Sequence, residues 1–143
     1  MTAVPAVTRV RLRFVKTGKI RWTSHRDVAR MWERAVRRVG LPVAYSLGFS
    51  PRPKLHFGLA LSTAHESLGE YLDVDLDPAA GAVIDVAGLP QLLTPCLPAG
   101  VDLQAAAVID TADDSLQQAV TSCSWRVEVA GGGVPGLARS VQG

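Results

Sequence analysis

Polar and apolar positions alternate strictly from residue 9 to residue 14, with Arg9, Arg11 and Arg13 on one side and Val10, Leu12 and Phe14 on the other. That is the period of a half-buried strand, and it places three arginines on one face. A basic connection follows at 16–23, with Gly18 as a turn signal and Trp22 inside it. Ser24 and Asp27 then have the spacing of a capping box, although Asp is shorter than the preferred Glu. Beyond them Val28, Met31, Trp32, Ala35, Val36 and Val39 fall in one arc at about 100° per residue. Arg26, Arg30 and Arg37 cluster on the opposite side, flanked by Arg34 and Arg38, and Gly40 gives the stop. The spacing predicts a helix with Trp32 in the core and an arginine-rich outer face.

Pro42, Gly48, Pro51 and Pro53 make 41–53 a loop whose backbone is restricted on both sides of Arg52, with Tyr45 and Phe49 exposed. Alternation resumes at 54–61 and again at 70–76, two strands expected to pair as an antiparallel hairpin. Prolines limit the next stretch to a short helix around 90–97, with Pro90 tolerable in its first turn. A strand is predicted at 101–109, a short helix capped by Asp113 or Asp114 and running to about 121, and a strand at 123–129. From 131 a glycine-rich tail is expected to be flexible. The order predicts an α+β fold, a ferredoxin-like β-α-β-β-α-β sandwich with an additional C-terminal helix and strand, forming a single domain over 8–130. Helices would cover one sheet face. The other would stay open, carrying Arg9, Arg11, Arg13, Lys54, His56 and Tyr71.

Charge sharpens this picture. The first 57 residues hold 13 of the 15 lysines and arginines against two acids, Asp27 and Glu33, while the remaining 86 hold two basic residues against 11 acidic ones. So basic a segment needs an anionic partner, whether nucleic acid, an acidic protein or the acidic half of the same chain. No apolar run approaches the ~20 residues that span a bilayer, and residues 1–7 lack the regions of a secretory signal, so a cytoplasmic setting without membrane contact is expected. Cys96 and Cys123 are 27 positions apart, without a CxxC or a nearby histidine pair, so neither a disulfide framework nor a metal site is signalled.

Three ordered blocks carry a resemblance. The first runs Lys16, Gly18, Arg21, Ser24, His25, Asp27, Arg30, Arg34, Ala35, Arg37 and Arg38; the second is Tyr45, Ser46, Gly48, Phe49, Pro51, Pro53 and Lys54; the third is Ser67, Glu70 and Tyr71. Together they resemble the radical SAM-linked protein family, a domain of unknown function found fused to, or encoded beside, radical S-adenosylmethionine proteins. The similarity covers roughly residues 8–130. The resemblance implies a radical SAM protein as partner and, from the ribosomal and ribonuclease genes common in such neighbourhoods, an RNA context, tRNA or rRNA. Two features depart from the family: Arg52 stands where relatives commonly have His, and the C-terminal part is shorter. Two cysteines cannot supply the three thiolates of a radical SAM cluster, so the iron–sulfur cluster and S-adenosylmethionine are expected only in the partner, with no cofactor in this chain.

The leading expectation is therefore a non-catalytic accessory module that binds RNA or another polyanion through a basic face. Its nucleic-acid-binding candidates are Arg21, His25, Arg30, Arg37, Tyr45, Phe49, Arg52 and Lys54, with Tyr45 or Phe49 against a base. Ser24, His25 and Asp27 do not read as a catalytic triad, because neighbours in one helical turn point in different directions; capping accounts for Ser24 and Asp27. One alternative is a metal-independent ribonuclease-like enzyme with His56 as general base, its imidazole kept neutral by adjacent Lys54. Another is a protein-docking subunit with no nucleic-acid contact.

Overall fold

The computed structural model describes residues 8–77 and 84–130, together with the backbone of 140–141. Strand β1 (Thr8–Lys16) and helix α1 (His25–Arg38) are joined by a 3-10 turn at Gly18–Trp22. β2 (Leu55–Phe57) and β3 (Ser67–Leu76) follow, then α2 (Leu89–Leu93), β4 (Val101–Ile109), α3 (Leu116–Ala119), β5 (Cys123–Ser124) and β6 (Ser140–Val141). The protein is a mixed α+β structure whose main sheet has four strands in the order β2-β3-β1-β4, every neighbouring pair antiparallel.

The alternation in β1 works as its sequence predicts. Val10, Leu12 and Phe14 are buried and, with Leu72, Val74 and Leu76 of β3 and Val101 and Leu103 of β4, form the sheet side of the core. Val28, Trp32, Ala35 and Val36 of α1 and Leu89 and Leu93 of α2 complete it. Trp32 is fully buried and meets the Phe14 ring edge-on, centroids 5.0 Å apart. The α1 capping box forms: the Ser24 hydroxyl accepts from the Asp27 amide at 3.1 Å, and the Asp27 carboxylate accepts from the Ser24 amide at 3.3 Å.

Four elements differ from the sequence reading. β2 ends at Phe57, well short of 61, because only Gly58 continues the ladder, donating to the Tyr71 carbonyl at 3.2 Å; further on, the Ala64 amide turns to the Arg21 carbonyl. The helix expected at 90–97 is α-helical only to Leu93 and tightens into a 3-10 turn at Thr94–Cys96, where Pro95 has no amide to give. The cap of α3 is Ser115 in a capping box with Gln118, rather than Asp113 or Asp114. The strand expected at 123–129 is two residues long and pairs with β6, outside the main sheet. The flexible tail expected from 131 lies outside the described residues except for β6.

The second sheet face is covered only in part: Arg13, Lys54, His56 and Tyr71 are exposed, as expected, but the neighbourhood of Arg11 and Gly58 is not. Arg11 Nη2 reaches the Asp114 carbonyl at 3.4 Å, and Leu116 of α3 is buried beside Gly58, so the segment leading into α3 lies over the face that carries the β1 arginines.

Candidate anion-contact surface

Register decides the fate of the β1 arginines. Arg9 stands opposite Asp75, Arg11 opposite Asp73 and Arg13 opposite Tyr71. Arg11 grips Asp73 through two parallel hydrogen bonds of 2.8 and 2.9 Å, and Arg9 grips Asp75 at 2.6 and 3.1 Å. Both carboxylates are buried, at 1% and 6% exposure. Burial works to raise the Asp75 carboxyl, but hydrogen bonds from Arg9 and His56 outweigh it and hold the group below the usual carboxylate range. Arg9 and Arg11 are thus neutralised within the sheet, whereas Arg13 is exposed and donates to the Leu68 carbonyl at 3.4 Å.

His56 shares this network. Its Nε2 lies 3.0 Å from Asp75 Oδ2, while half of the side chain is exposed. In the chain it follows Lys54 by two positions, the neighbour expected to act on it. Its bonded neighbour is a carboxylate instead, because β2 is in register with the acidic stretch of β3.

A second cluster sits at the other end of the core. Lys16 continues the apolar side of β1 and is 2% exposed, its Nζ donating to the Thr23 carbonyl at 2.9 Å. With His25, Phe57, Glu70 and Tyr71 it lines a pocket of about 20 Å³, room for a single water. Burial pushes the Lys16 ammonium down, and burial pushes the Glu70 carboxyl up. His25 meets the Phe57 ring edge-on at 5.1 Å. Arg21 donates to the Gly18 carbonyl at 2.8 Å, lies 3.6 Å from Glu66 and covers the Trp22 ring at 5.0 Å. Lys16 and Glu70 belong to the first and third blocks but not to the binding candidates, although each extends an apolar period: Val10, Leu12, Phe14, Lys16 in one strand and Glu70, Leu72, Val74, Leu76 in the other.

The remaining cations are on the surface. Arg26, Arg30, Arg34, Arg37 and Arg38 are all exposed along α1, and among the described residues none of them is in an ion pair with a carboxylate. Their spacing of four, four, three and one follows one side of the helix for about 18 Å at 1.5 Å per residue. Beyond the end of α1 the loop leading to β2 carries Tyr45, Phe49, Arg52 and Lys54, all exposed. Arg30 and Arg37 therefore share one stripe, and the four loop residues share one hairpin-like segment. Arg21 and His25 belong to the Lys16 end instead.

The sheet, the helices and all three sequence blocks fall within one family match. The chain belongs to the DUF2344 family. The match covers residues 9–142, and the family's description is "Uncharacterized protein conserved in bacteria". No curated protein matches the chain. Among the described residues, this DUF2344 protein has no group of three or more His, Cys, Asp or Glu side chains placed to hold a metal ion, and no helix long and apolar enough to cross a membrane.

Proposed function

We propose that this DUF2344 chain is a non-catalytic accessory module that holds RNA or another polyanion on the arginine stripe of α1 and works beside a radical SAM partner in the cytoplasm. The observation that carries the reading is the stripe itself: five exposed guanidiniums on one helix, none in an ion pair with a carboxylate among the described residues, though Asp27 is near enough to feel Arg30 and Arg26. These five guanidiniums can neutralise about five phosphates of one strand. The partner would bring the iron–sulfur cluster and S-adenosylmethionine. The strand order β2-β3-β1-β4, with helices after β1 and β3, supports assigning the fold as ferredoxin-like.

Counterion release makes the reading quantitative. Five neutralised phosphates on a single strand give a slope of about −3.5 in log affinity against log salt, or roughly 100-fold weaker binding between about 50 and 200 mM. A fluorescence-anisotropy titration with RNA across that range tests it, and Arg30→Ala should flatten the slope by about 0.7 while Arg126→Ala leaves it unchanged. Absence of binding at low salt rejects the reading. Co-purification with the radical SAM protein that survives nuclease treatment, combined with absent RNA affinity, would make this a protein-docking subunit.

The His56–Asp75 contact favours one second reading, a metal-independent ribonuclease. Asp75 would orient the imidazole through Nε2 and leave Nδ1 to take a proton from a ribose hydroxyl. His56→Ala would then abolish RNA cleavage and spare binding; wild-type protein that leaves RNA intact removes this alternative.

A further inference from the structure

The loop between α1 and β2 is built as a stiff projection. Its base is tied to the end of β3 by two backbone hydrogen bonds, Ala44 N to Asp75 O at 2.8 Å and Asp75 N to Lys54 O at 3.2 Å, and its two limbs to each other by Lys54 N to Ala44 O at 2.8 Å. Above them Tyr45 bridges to Pro53, the Ser46 amide donates to the Arg52 carbonyl at 2.8 Å, and the Arg52 amide donates to the Ser46 hydroxyl at 3.1 Å. Gly48 turns the tip at φ +126°, a backbone setting that side chains resist, and Pro51 and Pro53 fix the return limb. At the tip two apolar side chains stand wholly in water: Leu47 is 99% and Phe49 108% exposed. They add nothing to the core, and the backbone holding them has little freedom to fold them away.

We propose that Phe49 is a stacking plate for an unpaired nucleobase, so that the polyanion recognised by this chain is single-stranded or looped nucleic acid rather than a continuous duplex. The inference rests on the α1 reading above and names the ligand class for that surface. Charge complementarity selects the occupant. No acidic residue occurs between Glu33 and Glu66, so along the chain the projection is flanked by cations, Arg37 and Arg38 before it and Arg52 and Lys54 after it, while among the described residues the acids of β3 and its end meet only its base, at Ala44, Lys54 and Pro42. A cationic track leading to an exposed ring is the combination that binds single strands, the cations following the phosphates and the ring taking a base face. A duplex keeps its base faces covered. A lipid surface fits less well, because interfacial anchoring scales with buried apolar area and two side chains on a narrow tip supply little.

The test compares a short labelled pyrimidine RNA with the same strand annealed to its complement, at low salt, for the wild type, Phe49→Ala and Phe49→Trp. Phe49→Ala should weaken single-strand binding about 5- to 150-fold, the equivalent of ~1–3 kcal/mol per stacked base, with the salt slope and duplex affinity unchanged. Phe49→Trp should restore it. Equal loss on both RNAs, or no loss on either, overturns the inference while leaving the arginine stripe standing. Failure of the wild type to bind either RNA refutes both. Capture of anionic phosphatidylserine vesicles that depends on Phe49, with RNA affinity indifferent to it, assigns the tip to lipid and also overturns the inference. Phe49 is outside the core, so a loss cannot be ascribed to unfolding.

Discussion

Arg11→Ala isolates the cost of leaving one buried carboxylate without its partner. Asp73 has 2% of its side chain exposed, and its two oxygens are held by Arg11 at 2.8 and 2.9 Å. Removing one member of a buried pair costs about 3–5 kcal/mol, most of it the desolvation of the survivor, against about 0–1 kcal/mol for a pair at the surface. Arg11 itself is 23% exposed at the side chain, so water enters when it is truncated, and about 3 kcal/mol is the expected loss. For a chain of 143 residues the unfolding entropy is about 0.3 kcal/mol/K, which converts that loss to a Tm lower by about 10 °C. Urea denaturation is the assay, with the midpoint falling and the m-value constant. The double variant Arg11→Met with Asp73→Leu should recover most of the loss, because that position then holds no unpaired buried charge. A loss below about 1 kcal/mol for Arg11→Ala would refute the claim that Asp73 depends on Arg11.

Asp75→Asn should flatten the acid limb of the stability profile. The folded-state value of Asp75 lies below the ordinary one, so its contribution is complete above about pH 4 and is lost as pH falls through the lowered value. Chemical denaturation at successive pH values measures the difference between the two limbs. Glu70→Gln should act in the opposite sense: burial raises the folded-state value, so the wild type loses stability as pH rises from the ordinary glutamate range through the raised value. The variant is then more stable than the wild type at neutral pH and equal to it near pH 4, and a lower neutral Tm would contradict the cause assigned to Glu70.

Periodicity alone determined the secondary elements that build the core. The alternation of β1, the apolar arc of α1 through Val28, Trp32, Ala35 and Val36, and the Ser24 cap are local properties, set by side-chain spacing over a few residues. The proline-braced loop with Tyr45, Phe49 and Arg52 outside was legible for the same reason, since prolines restrict the backbone wherever the rest of the chain goes. The fate of each charge was not legible. Arg9 and Arg30 look alike along the chain, yet one is clasped by Asp75 from a strand 66 positions away and the other faces solvent. Pairing register makes that distinction, and register follows from which apolar sides face each other across the whole sheet. Lys16 and Glu70 show the same limit: their strands carry them to core-facing positions, Lys16 buried and Glu70 half-buried, and only the assembled pocket shows which neighbours they meet.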